Sequence, residues 1–267
     1  MVFYFTGTGN SLYVAKRLEK NPVSIPQIIK NKTLEFTADA IGIVAPVYGH
    51  EMPPMVKEFL HKAVFRTDYF YIILTYGNRH GGASELAEAF CRECGIVPSY
   101  INVLLMVDNW LPGFDMDEQR SMDKKTEEHL SEIIADIRDR RRMISQVTEA
   151  DREVHQQFLQ NMKRLPDDAW KKLIMVTPEC VGCGLCTKVC PSGSMQMEGG
   201  KAVHIPERCQ TCLACIHNCP NKALSMDMPE KNPSARYRNE HIRLEELIEA
   251  NNQDTDGSIL AGAFKKG

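Results

Sequence analysis

CVGCGLCTKVCP, residues 180–191, and CQTCLACIHNCP, residues 209–220, repeat one spacing. Each reads Cys-x2-Cys-x2-Cys-x3-Cys-Pro: Cys180, Cys183, Cys186, Cys190 and Pro191, then Cys209, Cys212, Cys215, Cys219 and Pro220. Position 209 follows 180 by 29 residues, and every later cysteine keeps that offset. The likeness continues beyond the cysteines, because Ser194-Met195-Gln196-Met197 aligns with Ala223-Leu224-Ser225-Met226 at the same shift. A fixed-period repeat means one supersecondary unit used twice, each copy burying its apolar face on the other.

The spacing is the one that ligates 4Fe–4S clusters in two-cluster proteins of the bacterial ferredoxin type. Three thiolates on one tight loop grip three corners of a cubane, and the fourth ligand crosses over from the other run. The expected sets are Cys180, Cys183, Cys186 and Cys219 for one cluster, and Cys209, Cys212, Cys215 and Cys190 for the other. Zinc is the alternative for paired Cys-x2-Cys motifs, and disulfides for dense cysteines. A third cysteine at the same spacing and a Cys-Pro ending are not the usual zinc pattern.

At 267 residues the length suits about two domains. Hydrophobic residues make up 43% and charged residues 25%, with a formal net charge of −3, so charge gives no case for nucleic acid or an anionic membrane. No apolar run approaches the roughly 18 residues of a membrane span. The chain opens Met1-Val2-Phe3-Tyr4-Phe5 without a basic leader. The expected setting is the cytoplasm, where cysteines stay reduced.

The amino-terminal half alternates strand and helix patterns. VFYF ends at once in Thr6-Gly7-Thr8-Gly9-Asn10-Ser11, after which Leu12, Ala15 and Leu18 share a helix face. A strand, a glycine turn and a helix start make an anion site, in which the first helical amides point at a phosphate. The nicotinamide fingerprint needs a third glycine three residues after the second, and Leu12 stands there. Ala40 to Ala45 is a continuous apolar run ending in PVYGHEMPP; Tyr69 to Thr75 ends in TYGNRHGG; Tyr100 to Val107 ends in DNWLPGF. Such alternation implies an α/β fold with a doubly wound parallel sheet, whose ligands bind off the carboxyl ends of the strands.

TGTGNS resembles the phosphate-binding loop of flavodoxins, with Tyr48 and Tyr76 where flavodoxins sandwich an isoalloxazine ring. A flavodoxin-like sheet followed by a smaller α+β two-cluster ferredoxin domain resembles the fused flavodoxin–ferredoxin family of anaerobic microbes. PVYG, TYGNRHGG, CLACIHNCP and RYRN (Arg236 to Asn239) carry that likeness. It implies an FMN whose phosphate is held by Thr6, Gly7, Thr8, Gly9, Asn10 and Ser11. Pro46, Val47, Tyr48 and Gly49 would line one side of its ring, and Tyr76, Gly77, Asn78, Arg79 and Gly82 the other. Asn109 and Trp110 would close the pocket. The expected divisions are an FMN-binding part at 1–146, a helical connector at 147–170, the two-cluster part at 171–230, and a tail with a short helix at 231–267.

Elsewhere, Leu130, Ile133, Ile134, Ile137 and Ile144 form a helical stripe within a charged stretch. Arg138 and Arg140 to Arg142 read as a solvated face. Lys171 to Thr177 reads as a strand entering the ferredoxin part, and His241 to Asn251 as an amphipathic helix. Cys91 and Cys94 share a helix face and read as core residues. His217 is expected beside a cluster, shielding it or hydrogen-bonding to it. The resulting expectation is an electron-transfer protein, or a flavin-dependent iron–sulfur oxidoreductase, relaying electrons between two 4Fe–4S clusters and FMN with redox partner proteins. No catalytic acid, base or nucleophile is nominated. The alternatives are a ferredoxin with a flavin-free docking module, and an iron–sulfur sensor.

Overall fold

The computed structural model describes residues 1–166 and 168–253; position 167 in the expected connector and residues 254–267 of the expected tail lie outside the described residues. In chain order the amino-terminal strands are β1 Val2–Tyr4, β2 Val23–Ser24, β3 Glu35–Thr37, β4 Ala40–Pro46, β5 Val64–Arg66, β6 Tyr69–Tyr76, β7 Tyr100–Leu105 and β8 Met143–Ile144. The helices among and after them are α1 Asn10–Leu18, α2 Ile25–Ile28, α3 Pro54–Lys62, α4 Ala83–Glu93, α5 Met116–Ser121, α6 Thr126–Arg138 and α7 Glu149–Met162.

Six strands form one sheet in the order β2-β1-β4-β6-β7-β8, and every neighbouring pair is parallel. Alternate side chains fill two cores, because helices cover both faces. Phe3, Ile41, Ile43, Phe70 and Ile72 face α2, α3 and α4, where Ile28, Val56, Phe59 and Ala87 meet them. Val2, Tyr4, Val44, Tyr71 and Ile73 face α1 and α6, meeting Leu12, Val14, Leu130 and Ile133. The order reverses beside β1: the chain goes first to β2 on one side, then across to β4 on the other. A crevice opens at such a reversal because the following loops diverge to opposite faces.

The stripe expected to end in Ile144 stops earlier. α6 ends at Arg138, and Met143–Ile144 is the short edge strand β8, paired with Tyr100 and Ile101. Two residues carry no periodicity, so the pairing partner alone reveals this strand. β3 and β5 make a separate parallel pair.

The carboxyl-terminal lobe carries β9 Ile174–Val176, α8 Leu185–Lys188, β10 Met195–Glu198, β11 Lys201–His204, α9 Ala214–His217, β12 Leu224–Met226 and α10 Leu244–Asn251. β9 is shorter than Lys171 to Thr177 because Ala169–Lys172 coils into a 3-10 turn. α9 starts and ends 29 residues after α8, so the sequence repeat is a structural one. β9 pairs antiparallel with β12, which ties the two copies together, and β10 with β11 forms a hairpin. α10 begins at Leu244, later than expected, because residues 235–243 are loop that runs along the amino-terminal lobe.

Gly42 lies in register with Tyr71 in the sheet centre, and a Cβ there would stand 2.2 Å from the tyrosine ring. Gly42→Val is expected to cost about 1–3 kcal/mol by overpacking. The measurement is the shift in urea midpoint of the anaerobic protein.

Candidate functional site

The eight repeated cysteines collect in two groups. All ten cysteines of the chain are free thiols. Cys190, Cys209, Cys212 and Cys215 line a single cavity with about 290 Å³ of empty space, and none is more than 9% exposed. The electrostatic neighbours follow the same grouping. Burial, then the charges of Cys180, Cys183 and Cys219, push the Cys186 thiol up to about 11. Burial, then Cys190 first among the surrounding sulfurs, pushes Cys215 well above the ordinary thiol value. Thiols this crowded cannot all ionise unless a multiply charged cation sits among them.

Backbone amides already aim at the sulfurs. Ala202 N–H donates to Cys180 Sγ at 3.4 Å, Ser194 N–H to Cys190 at 3.2 Å, Thr211 N–H to Cys209 at 3.3 Å and Ala223 N–H to Cys219 at 3.3 Å. Such donors stabilise thiolate charge. The loops are bent into shape by left-handed residues: Gly182, Gly184 and Gly193 in the first copy, Thr211, Leu213 and Lys222 at the equivalent positions of the second. Non-glycine residues hold this conformation at a cost of about 1–2 kcal/mol each. That strain persists only where surroundings over-determine the backbone. The donor chemistry, amide direction and imposed loop shape all fit resident iron–sulfur clusters.

The crevice at the strand-order reversal forms the second feature. Its lining comes from four strand ends: Thr6, Gly7, Thr8, Asn10 and Ser11 after β1; Pro46, Val47 and Tyr48 after β4; Thr75, Tyr76 and Gly77 at β6; Val107, Asp108 and Asn109 after β7. It encloses about 410 Å³ of space open to solvent. Gly9 caps α1 at φ 103° and closes the turn by donating its N–H to Thr6 Oγ1 at 3.0 Å. Ser11 Oγ lies 2.9 Å from Thr75 Oγ1, and Asn109 Nδ2 donates to Thr8 Oγ1 at 3.1 Å. Burial pushes the Asp108 carboxyl above its ordinary value, opposed by the Trp110 N–H and by Lys124.

Eleven of the sixteen cofactor-binding positions expected from sequence therefore line one cleft. Gly9 sits behind the turn, where a Cβ would meet Asn239 and Ile242. Gly49 lies under the Phe158 ring, Asn78 and Arg79 are exposed, and Gly82 caps α4 near Val147. Trp110 packs instead against the core of the carboxyl-terminal lobe. Thr75, Val107 and Asp108 were not among the expected residues, although each stands at a strand end whose position is readable.

The cleft and the cysteine cavity touch. A Cβ on Gly7 would lie 2.5 Å from the Cys212 carbonyl oxygen and 3.0 Å from the Tyr48 hydroxyl, so the two loops meet backbone to backbone. Met55 N–H donates to Gln210 Oε1 at 3.0 Å beside this contact. Residues 235–251 strap the pair together. Asn239 N–H donates to Thr8 O at 2.8 Å, and Tyr237 Oη donates to Asn10 Oδ1 at 2.6 Å. Buried Asn251 donates to both Thr6 O and Val189 O, at 3.1 and 3.2 Å. His217 accepts from Tyr237 N–H at 3.0 Å through Nδ1, and its Nε2 lies 2.9 Å from Asn109 O. The expected bond from His217 to a cluster is thus replaced by a link to the cleft. Burial holds this imidazole down at about 4, so it is neutral near pH 7.

Helix α7 covers the loops that follow Tyr48 and Tyr76. His50 Nδ1 lies 3.3 Å from His155 Nδ1, and His80 Nε2 lies 3.9 Å from Asp151. Arg79 faces the same group. Burial, then the neighbouring cations, depresses His50; burial alone depresses His155.

Residues 172–220 match the family described as 4Fe-4S dicluster domain. A 70-residue stretch is 30% identical to a ferredoxin of Pyrobaculum islandicum, covering 26% of this chain and 64% of that one. Another of 57 residues is 35% identical to an uncharacterized ferredoxin of Methanocaldococcus jannaschii, covering 20% of this chain and 74% of that protein. A third of 47 residues is 38% identical to one component of the ion-translocating oxidoreductase complex of Methanosarcina acetivorans, covering 18% of each chain. No solved structure matches the chain. Among the described residues no helix is long and apolar enough to cross a membrane.

Removing the Asn251 amide by Asn251→Leu leaves two buried carbonyls without their donor. The expected loss is about 1–3 kcal/mol, read from the thermal midpoint. A second expectation concerns pH. The folded imidazoles of His50 and His155 titrate below their unfolded value, so the stability they permit is complete above about pH 6.5 and declines as pH falls through the folded values. Protection factors of the amides in residues 149–162, corrected for the intrinsic pH dependence of exchange, should fall on acidification, and His155→Gln should flatten that dependence. Protection factors unchanged over this range would contradict the assignment.

Proposed function

Because this chain belongs, through residues 172–220, to the 4Fe–4S dicluster ferredoxins, we propose that it relays electrons between two such clusters and an FMN seated in the cleft. Ferredoxin-type electron transfer is the established part. The relay to a flavin is the further reading, and the meeting of Gly7 with Cys212 carries it, since it sets the two candidate sites wall to wall. Clusters supply single-electron steps, and a flavin converts between one- and two-electron steps.

Cage one would consist of Cys180, Cys183, Cys186 and Cys219, and cage two of Cys209, Cys212, Cys215 and Cys190. The exchange of Cys219 and Cys190 is supported by their electrostatic neighbours. For the flavin, support comes from the lining and from the sheet. Counting only its own strands, the sheet runs 2-1-3-4-5 before the added edge strand, the order found in flavodoxins. The amides and hydroxyls of Thr6 to Ser11 would hold the phosphate at the start of α1. Pro46 to Tyr48 and Tyr76 to Gly77 would flank the ring. On this reading residues 1–146 bind flavin, 147–170 connect, 171–230 carry the clusters and 231–253 hold the two parts together. The chain acts as a carrier between redox partner proteins rather than on a substrate of its own.

A second reading, a docking module without flavin, has one observation in its favour: Thr8, Asn10 and Ser11 already bond to protein groups.

Anaerobic purification, an extracted-flavin assay and an iron count decide between the two. The relay expects about eight irons with one FMN, whereas eight irons without flavin favour docking. Thr8→Ala with Ser11→Ala should lower FMN retention and leave iron unchanged. Equal loss of both would contradict the division of roles.

A further inference from the structure

The two cages differ in what surrounds them. Cage one reaches the surface: Cys183 is exposed, Cys219 is half-buried, and Val181 beside them is 64% exposed. Cage two is enclosed, and its Cys212 packs in the same apolar cluster as Phe5 and Ile43 of the sheet, with Val189 and Ala214 alongside. Its carbonyl is the backbone atom against Gly7. Tyr48 spans the junction. Its ring lines the cleft and lies edge-on to Phe5, while its hydroxyl reaches Gly7 and stands in the field of Cys212 and Cys209.

Resting on the relay reading, we infer that cage two is the inner station, passing electrons to the cleft across the Gly7–Cys212 contact with Tyr48 as the bridging side chain, and that cage one is the outward station. Each passage moves one electron. With clusters and flavin bound, a soluble one-electron donor would reduce the centre in cage one, which would be reoxidised in reducing that of cage two, itself reoxidised by the flavin; two such passages with two protons from water would balance the two-electron reduction of the flavin. Tyr48 is a positioning residue: it holds cleft and cage together and undergoes no redox change of its own.

The test is phosphorus NMR of the bound FMN in the full-length anaerobic protein, with dithionite as the donor. Reduced 4Fe–4S clusters are paramagnetic, and they broaden nuclei close to them. The phosphorus line should be sharp in the oxidised protein and lost to broadening on reduction. Cys183→Ser, which perturbs cage one, should leave that loss intact, whereas Cys212→Ser should restore a sharp line. Because Cys212→Ser risks misfolding, Tyr48→Leu provides an independent arm. Stopped-flow mixing with dithionite should show cluster bleaching unchanged and flavin bleaching slowed. A sharp line in the reduced native protein, a line restored by Cys183→Ser instead, or unslowed flavin bleaching in Tyr48→Leu would overturn the order. Protein carrying iron but no FMN would sink the relay reading itself, and is recognised from the extracted-flavin assay before any spectrum is taken.

Discussion

The missing side chain at position 7 is the constraint on which the rest depends. Only a residue without Cβ allows the turn after β1 to meet the Cys212 carbonyl. That approach covers Cys212 and brings the ends of β1 and β4 beside it. The neighbouring polar bonds then form between groups far apart in sequence. Met55 reaches Gln210, Asn251 reaches Thr6 and Val189, and His217 reaches Asn109. Each contributes only about 0.5–1.5 kcal/mol net, but leaving any of these buried groups unpaired costs more than making the bond gains. The contact is therefore enforced from several directions.

Identical spacing does not give the two cysteine runs identical surroundings. The first copy bends through Gly182, Gly184 and Gly193, where left-handed backbone is free of side-chain strain. The second bends the same way through Thr211, Leu213 and Lys222. Leu213 offsets its strain with burial, at 2% exposure, in the core of the lobe. The second copy is thus pinned by packing and the first left open. Hydrogen bonding and solvent exposure set cluster potentials, so on the proposed ligand sets the two clusters would differ in potential.

How much was legible follows from the range of the forces involved. The repeat, the buried strands and the loops at their ends are local patterns, and the structure keeps them to within a few residues. Eleven cleft residues were readable through the likeness of their loops to those of flavodoxins, and these loops emerge at strand ends. Gly49 falls outside because α7 folds back over its loop, placing Phe158 on Gly49 and His155 on His50, whereas Asn78 and Arg79 are exposed and Gly82 caps α4. Nothing in a 3.6-residue periodicity says which surface a helix will cover. The hydrogen-bond partner of His217 was not readable for the same reason: Asn109 lies 108 residues away. Asp108 was visible only as the first residue of DNWLPGF, and its burial comes from Gly77 pressing against it.

The match to the 4Fe-4S dicluster domain ends at residue 220, yet the physical unit does not. Tyr237, Asn239 and Asn251 lie beyond it and bond to the loop after β1. Cys212, a residue within the match, belongs to the same apolar cluster as Phe5 and Ile43 outside it. A free-standing two-cluster domain would expose that apolar side to water and leave Val189 O without its donor, and the amino-terminal lobe would lose the donors to Thr6 O and Thr8 O. The cost of such exposure, at roughly 25 cal/mol per Å² of apolar surface, falls on both halves at once. The turn after β1 therefore serves both sites: Gly7 lines the cleft and closes against the backbone of Cys212, a residue of the cysteine cavity.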